Sequence, residues 1–283
     1  MTFADMKNDV AFRKIFGNRK KTKSLISFLN AVLGLEGFSR VAKVTLLDPN
    51  LLPRIKGEKA SIIDVRATDQ KGRHFIVEMQ VADKSGFGKR VQYYTAKDYS
   101  LQILQGQDYP LLNPTYFVGI LDFPFGKSRD YHTHHLIMDK ASGEHLLKDM
   151  QFAFIQLTKF KKKEKDLVTL IDKWTYFLKN AKKLAVIPDN TDDEGLKEAY
   201  QEANQHNWTR EELMSYDVAS MREQDARGEK EKAIEISRAE TTQKFILNSL
   251  AEGIPIATIS KIIGVSIEEV QEMADVSDED GEY

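Results

Sequence analysis

Apolar residues recur every three to four positions over residues 7–33: Phe12, Ile15 and Phe16, then Leu25, Phe28, Leu29, Val32 and Leu33. That spacing predicts a helix with one buried face, ended by Gly34, which takes a left-handed backbone without a Cβ clash. The cluster Arg19-Lys20-Lys21 with Lys23 falls in its solvated part and marks a place where the helix can be interrupted. The pattern then shortens. Residues 41–47, 61–68 and 73–82 are rich in Val and Ile, are separated by Asp48-Pro49-Asn50 and by Asp69 to Gly72, and predict three strands. Helical spacing returns over 87–105. Strands follow at 115–122 and 150–157, and helices near 166–181 and 194–207. Helix, strand, hairpin, helix, strand is the order of an α/β layered domain and not of a bundle.

Pro188 and the run Asp192-Asp193-Glu194 break this pattern. They divide the chain into a body at 1–190, a helical tail at 191–274 and an acidic end at 275–283, which is too polar and charged to predict order. Within the tail, residues 221–250 keep helical spacing under heavy charge, as a long exposed or self-associating helix does. Glu252-Gly253-Ile254-Pro255 follows, then a helix through Ile263, a turn at Gly264 and a last helix from Ser266. This end has the shape of a helix-turn-helix. Its second helix carries Glu268, Glu269 and Glu272, however, where a DNA reader carries Arg, Lys or Asn. Self-association, or docking on the body, is the reading that the charges favour.

Composition narrows the classes. The chain has 283 residues, of which 41% are hydrophobic, and no cysteine, which removes disulfides, thiolate catalysis and Cys-based zinc sites. No apolar run approaches the roughly 18 residues of a bilayer span, and the opening stretch meets charge too early for a signal peptide, so a cytoplasmic protein without membrane contact is expected. The net charge of −2 conceals an asymmetry. Residues 1–190 hold 32 Lys+Arg against 20 Asp+Glu, a balance of +12; the remaining 9 and 23 give −14. A basic body on an acidic tail points to a polyanion partner for the body, beside the blander reading of solvated helices.

The hairpin 61–81 holds the candidate chemistry. Strand alternation puts Ile63, Val65 and Ala67 on one face and Ile62, Asp64 and Arg66 on the other; Val77, Met79 and Val81 oppose Ile76, Glu78 and Gln80 in the same way. A three-residue loop, Gln70-Lys71-Gly72, with Gly72 left-handed, pairs Asp69 with Arg73 and sets Asp64 directly across from Glu78. A four-residue loop would shift this pairing by one. Two opposed carboxylates among Val, Ile and Phe repel unless a cation lies between them, and hard divalent cations take oxygen ligands. Gln80, two residues beyond Glu78, adds a group able to orient a water. Against this stands an ordinary polar-faced hairpin with both acids wetted at the sheet edge.

Together with Asn8-Asp9-Val10-Ala11-Phe12-Arg13-Lys14-Ile15-Phe16-Gly17 and with Arg90 and Tyr93-Tyr94, this hairpin resembles the Rpn family of recombination-promoting nucleases and transposase-like proteins, part of the PD-(D/E)XK superfamily. The resemblance runs from about Asp9 to about Asn207, and 252–270 resembles that family's variable tail. It implies a restriction-endonuclease-like core, a mixed central sheet flanked by helices, with a helical C-terminal tail. It also implies a Mg²⁺-dependent (or Mn²⁺- or Ca²⁺-binding) DNA endonuclease tied to recombination or mobile elements. By position, Asp64 and Glu78 match the metal-ligating acids, and Asp9 a first-helix acid that holds the metal through water. Gln80 falls where many superfamily members have lysine; without that positive charge it is read as a neutral water-positioner. The departure keeps open an alternative: a catalytically weak or inactive nuclease fold that regulates by binding DNA or protein.

Arg66, Arg90 and the basic run Lys159 to Lys165, with Lys161, Lys162 and Lys163 at its centre, are candidates for sequence-independent contact with the DNA backbone. Each has a plain alternative: Arg66 and Arg90 as counter-charges, the lysines as a solvated turn. His74 reads as structural. His132-Thr133-His134-His135 lacks a zinc-site context and reads as a solvent-facing loop or strand start. Tyr93, Tyr94 and Tyr99 read as packing for their helix. A homo-oligomer formed through the tail helices completes the expectation.

Overall fold

The computed structural model describes residues 1–51 and 61–279, the last five by backbone alone. Helix α1 (Asp9–Phe16) starts at Asn8, whose side chain accepts from the Val10 and Ala11 amides, and stops at Gly17. Asn18 then accepts from the amides of Lys20 and Lys21, turning the chain before α2 (Lys23–Leu33). The helix expected over 7–33 is therefore two. Gly34 closes α2 with φ of 59°.

Strands β1 (Val44–Leu46), β2 (Asn50–Leu51), β3 (Ser61–Ile62), β4 (Val65–Asp69) and β5 (His74–Gln80) come next, followed by α3 (Phe87–Ser100), β6 (Thr115–Leu121), β7 (His132–Leu136) and β8 (Met150–Gln156). Then come α4 (Leu170–Asn180), α5 (Glu194–Ala203), α6 (Arg210–Ala251), α7 (Ile256–Ile263) and α8 (Ile267–Glu279). The main sheet has the order β1-β4-β5-β6-β8-β7; β5, β6 and β8 run parallel, and the other pairings are antiparallel. This is the expected mixed sheet with helices on both faces. Val65, Ala67, Phe75, Val77, Met79, Val118 and Ile155 pack towards α1, α2, α4 and α5 around Phe16, Phe28 and Trp174. Ile76, Phe117, Leu121 and Phe154 pack on the other face against Phe87 and Val91 of α3.

The chain divides into two units, Met1–Ala219 and Ser220–Tyr283. The division lies beyond the expected 190 because α5 belongs to the first core. Leu196, Ala199, Tyr200 and Ala203 are buried there, and the α5–α2 approach is so close that a Cβ on Gly195 would stand 2.4 Å from the Lys23 carbonyl. Trp208 and Tyr216 are buried in the same unit; the Tyr216 hydroxyl accepts from the Asp5 amide. In the second unit, Ile246, Ile259 and Val270 close a small core from the end of α6 with α7 and α8. Ser266 and Glu269 cap one another at the start of α8, and this helix runs to Glu279, into the end expected from composition to be disordered. Residues 280–283 of that expected end lie outside the described residues. Among the described residues no helix is long and apolar enough to cross a membrane.

Candidate active site

The β4–β5 turn is built by its own side chains. Gly72 is left-handed (φ 78°), and the Asp69 carboxylate accepts from the amides of Lys71 and Arg73 and from the Arg73 guanidinium at 2.7 Å. Asp69 and Arg73 pair across the turn, and the ladder runs Thr68–His74, Ala67–Phe75, Arg66–Ile76, Val65–Val77. One step further the register sets Asp64 opposite Glu78, but there the ladder stops. The Ile63 amide donates to the Pro49 carbonyl, and β3 pairs with β2, so the strand predicted over 61–68 is broken at Ile63-Asp64. Ile63 consequently packs with Ile76 on the α3 face and not beside Val65, contrary to simple alternation.

The two carboxylates take over where backbone pairing ends. The Asp64 amide donates to Glu78 Oε1 at 3.2 Å, and the Met79 amide donates to Asp64 Oδ2 at 3.0 Å. Each acid thus satisfies an amide that the lost ladder would have orphaned, and the arrangement locks both carboxylates into one place. Glu78 is 4% exposed. Its Oε2 accepts from the Gln80 side-chain Nε2 at 3.0 Å, and the Gln80 side-chain Oε1 accepts from the Arg90 guanidinium of α3. From the other face, Arg13 of α1 reaches Asp64 Oδ1 at 3.2 Å with half of its side chain in solvent.

Burial first, and the Asp64 charge second, push the Glu78 carboxyl up to about 8. Asp64 is also raised, mainly by burial, against the hydrogen bonds from Met79 and Arg13. Arg13 and Arg90 therefore compensate the pair incompletely, and a site of this kind is electrostatically suited to a further cation. Two carboxylates with a neighbouring amide fit Mg²⁺, which takes few protein oxygens and completes its shell with water and phosphate.

The other expected residues fall differently. Asp9 sits exposed at the start of α1, where its charge raises Asp64. Among the described residues no group of three or more His, Asp and Glu gathers to hold a metal directly. Arg66 does not neutralise Asp64: it pairs with Asp98 of α3, as does His74 at 2.8 Å, while Thr115 donates to the same carboxylate. Lys162 binds Asp172 at 2.6 Å, whereas Lys161 and Lys163 are exposed. His132 to His135 form the edge strand β7; His132 bonds the Val32 carbonyl, and burial lowers it to about 4, a neutral packed imidazole. Arg13 received no role from the sequence, although it stands four residues after Asp9 on the same helix face.

Residues 6–233 match the family described as PD-(D/E)XK nuclease family transposase. No curated protein and no solved structure matches the chain. The match covers the hairpin, both flanking layers and the start of α6, and with it the chain belongs to the PD-(D/E)XK nuclease family of transposases.

Proposed function

We propose that this protein is a metal-dependent DNA endonuclease serving recombination or mobile elements, with Asp64 and Glu78 as its metal ligands. The observation that carries the reading is the exchange of side-chain and backbone hydrogen bonds between Asp64 and the Glu78–Met79 strand, which fixes two under-compensated acids side by side. A bound Mg²⁺ or Mn²⁺ would supply a water of lowered pKa and a Lewis acid for the phosphate. Gln80 orients that water's surroundings: its amide is anchored on Glu78 and its carbonyl on Arg90. Arg90 brings to the motif the positive charge that lysine provides elsewhere in the superfamily, and Asp9 contributes negative charge near Asp64 without bonding to it.

The test is cleavage of supercoiled plasmid with Mg²⁺, Mn²⁺, Ca²⁺ or EDTA by the full chain and by Asp64→Asn. Cleavage that needs Mg²⁺ or Mn²⁺ and disappears in the variant supports the proposal; metal-independent cleavage, or equal cleavage by the variant, refutes it. Gln80 favours a second reading, a binding regulator with little chemistry. DNA binding without cleavage by the folded full chain would establish it.

The same proposal extends to pairing of two copies through α6, on which Met221, Ile234 and Ile236 are exposed among charged residues. Sedimentation of the full chain against one ending at Ala219 tests this: a dimer that becomes a monomer on truncation is expected.

A further inference from the structure

Five lysines from three separated stretches gather where β5 and β6 end. They are Lys7 ahead of α1, Lys161 after β8, and Lys179, Lys182 and Lys183 at the end of α4 and just beyond it. Hydrogen bonds connect this cluster to the motif. The Asp122 backbone amide donates to the Gln80 backbone carbonyl at 2.9 Å, and the Asp122 carboxylate binds Lys7 at 2.7 Å. Asp5 accepts from the Lys7 amide at 3.1 Å and lies 3.7 Å from the Lys182 ammonium. Lys179 donates to the carbonyl of Phe160, the neighbour of Lys161.

Asp5 and Asp122 offset two of the five charges and leave +3. Lys161 and Lys183 are exposed and have no carboxylate within ion-pair distance among the described residues. The crowding is felt inside the cluster: burial, and then the charges of Lys161, Lys7 and Lys183, lower the Lys179 pKa against the pull of Asp122. A fold that holds cations together without enough counter-charge gains from an external anion. The charges are spread along a rim on flexible side chains, which suits a row of phosphates better than one small anion in a preformed pocket.

We propose that Lys7, Lys161, Lys179, Lys182 and Lys183 form a track that holds the DNA backbone beside the Asp64–Glu78 site. The proposal rests on the nuclease reading and names the surface through which its substrate is held. Lys162, bound to Asp172, is not part of the track.

The experiment is fluorescence anisotropy of a short labelled DNA duplex with the full chain in EDTA over a series of salt concentrations. Lys161→Glu/Lys183→Glu tests the track, and Lys140→Glu/Lys148→Glu, in the exposed β7–β8 loop, is the control of equal charge change. The track variant should bind about tenfold or more weakly, with a salt slope shallower by about two, because two phosphate contacts are lost. The control should stay near the unmodified protein in both. Unchanged binding by the track variant, or equal weakening by the control, overturns the proposal while leaving the nuclease reading in place. If the unmodified chain fails to bind duplex even at low salt, the nuclease reading falls and the track falls with it.

Discussion

Two buried acids lie near opposite ends of β5, Asp98 on α3 at the His74 end and Glu78 on the strand itself at the Gln80 end, and the contrast between them separates an acid that the fold satisfies from one that it leaves short of charge. At the His74 end, Asp98 is fully buried and ringed by Arg66, His74 and Thr115. Burial alone would raise its pKa, yet the bonds and charges of His74 and Arg66 bring it below the ordinary value. At the Gln80 end, Glu78 is almost as deeply buried, but its nearest direct partners are the Asp64 amide and the Gln80 amide, with Asp64 itself adding negative charge. The first acid is satisfied by what the chain provides. The second is left short of positive charge, which is the condition under which a buried carboxylate becomes a functional-site candidate.

The largest expected effect breaks the under-compensated acid. Asp64→Asn and Glu78→Gln should each lower metal-dependent plasmid cleavage by about 10³-fold or more while DNA binding in EDTA persists. Retained cleavage would remove the distinction drawn here. Replacing the compensated acid should do the reverse. Asp98→Ala leaves the partly buried Arg66 and His74 without their shared partner and should destabilise the fold by about 2–4 kcal/mol in denaturant titrations, with cleavage per folded molecule little changed.

An intermediate effect is expected from the α3 arginine at the Gln80 end. Arg90→Gln should slow cleavage by about 10²-fold, and adding Gln80→Lys to that variant should restore part of the loss, since the charge returns to the same motif. The smallest effect concerns stability against pH. Glu78 in the folded chain keeps its proton up to about 8, whereas the unfolded chain releases it near 4.5. Between those values the folded state binds more protons, so this group's contribution to stability is lost as pH rises through that window. Glu78→Gln should therefore be more stable than the unmodified protein at pH 9, by about 1–3 kcal/mol, and nearly equal to it at pH 4.

Much of the hairpin was legible because its signals are local. A left-handed glycine at position 72 sets the register, and alternation holds along Val65–Asp69 and along β5. The break at Ile63-Asp64 was not legible, since Ile62, Ile63 and Val65 read as one strand; pairing with Asn50–Leu51 redirects the backbone. The partner of Arg66 was hidden 32 residues away in a charged helix. The charge-based boundary at 190 failed for a similar reason. Helix α5 is polar overall, but its few apolar positions and Gly195 are the ones that meet α2. Truncation tests of the tail therefore belong at Ala219, because a chain ending near Asn190 would also lose part of the core.

The first residues of the chain are tied to positions made much later. The Ala4 amide donates to the Ala203 carbonyl, Phe3 bridges Asn204, and the Asp5 amide and the Asn8 side chain bond Tyr216 across separations of 211 and 208 residues. During synthesis the β4–β5 hairpin can form soon after residue 80 leaves the ribosome. Helix α1, which carries Asp9 and Arg13 to the site, gains its last anchors only when the 203–216 stretch has emerged. Closing so long a loop costs little more in entropy than closing a loop of half that length, but contacts this remote slow folding. The proposed metal site thereby gains its last anchors only late in translation of this unit, and a nascent chain carries the hairpin's acids before α1 is fixed beside them.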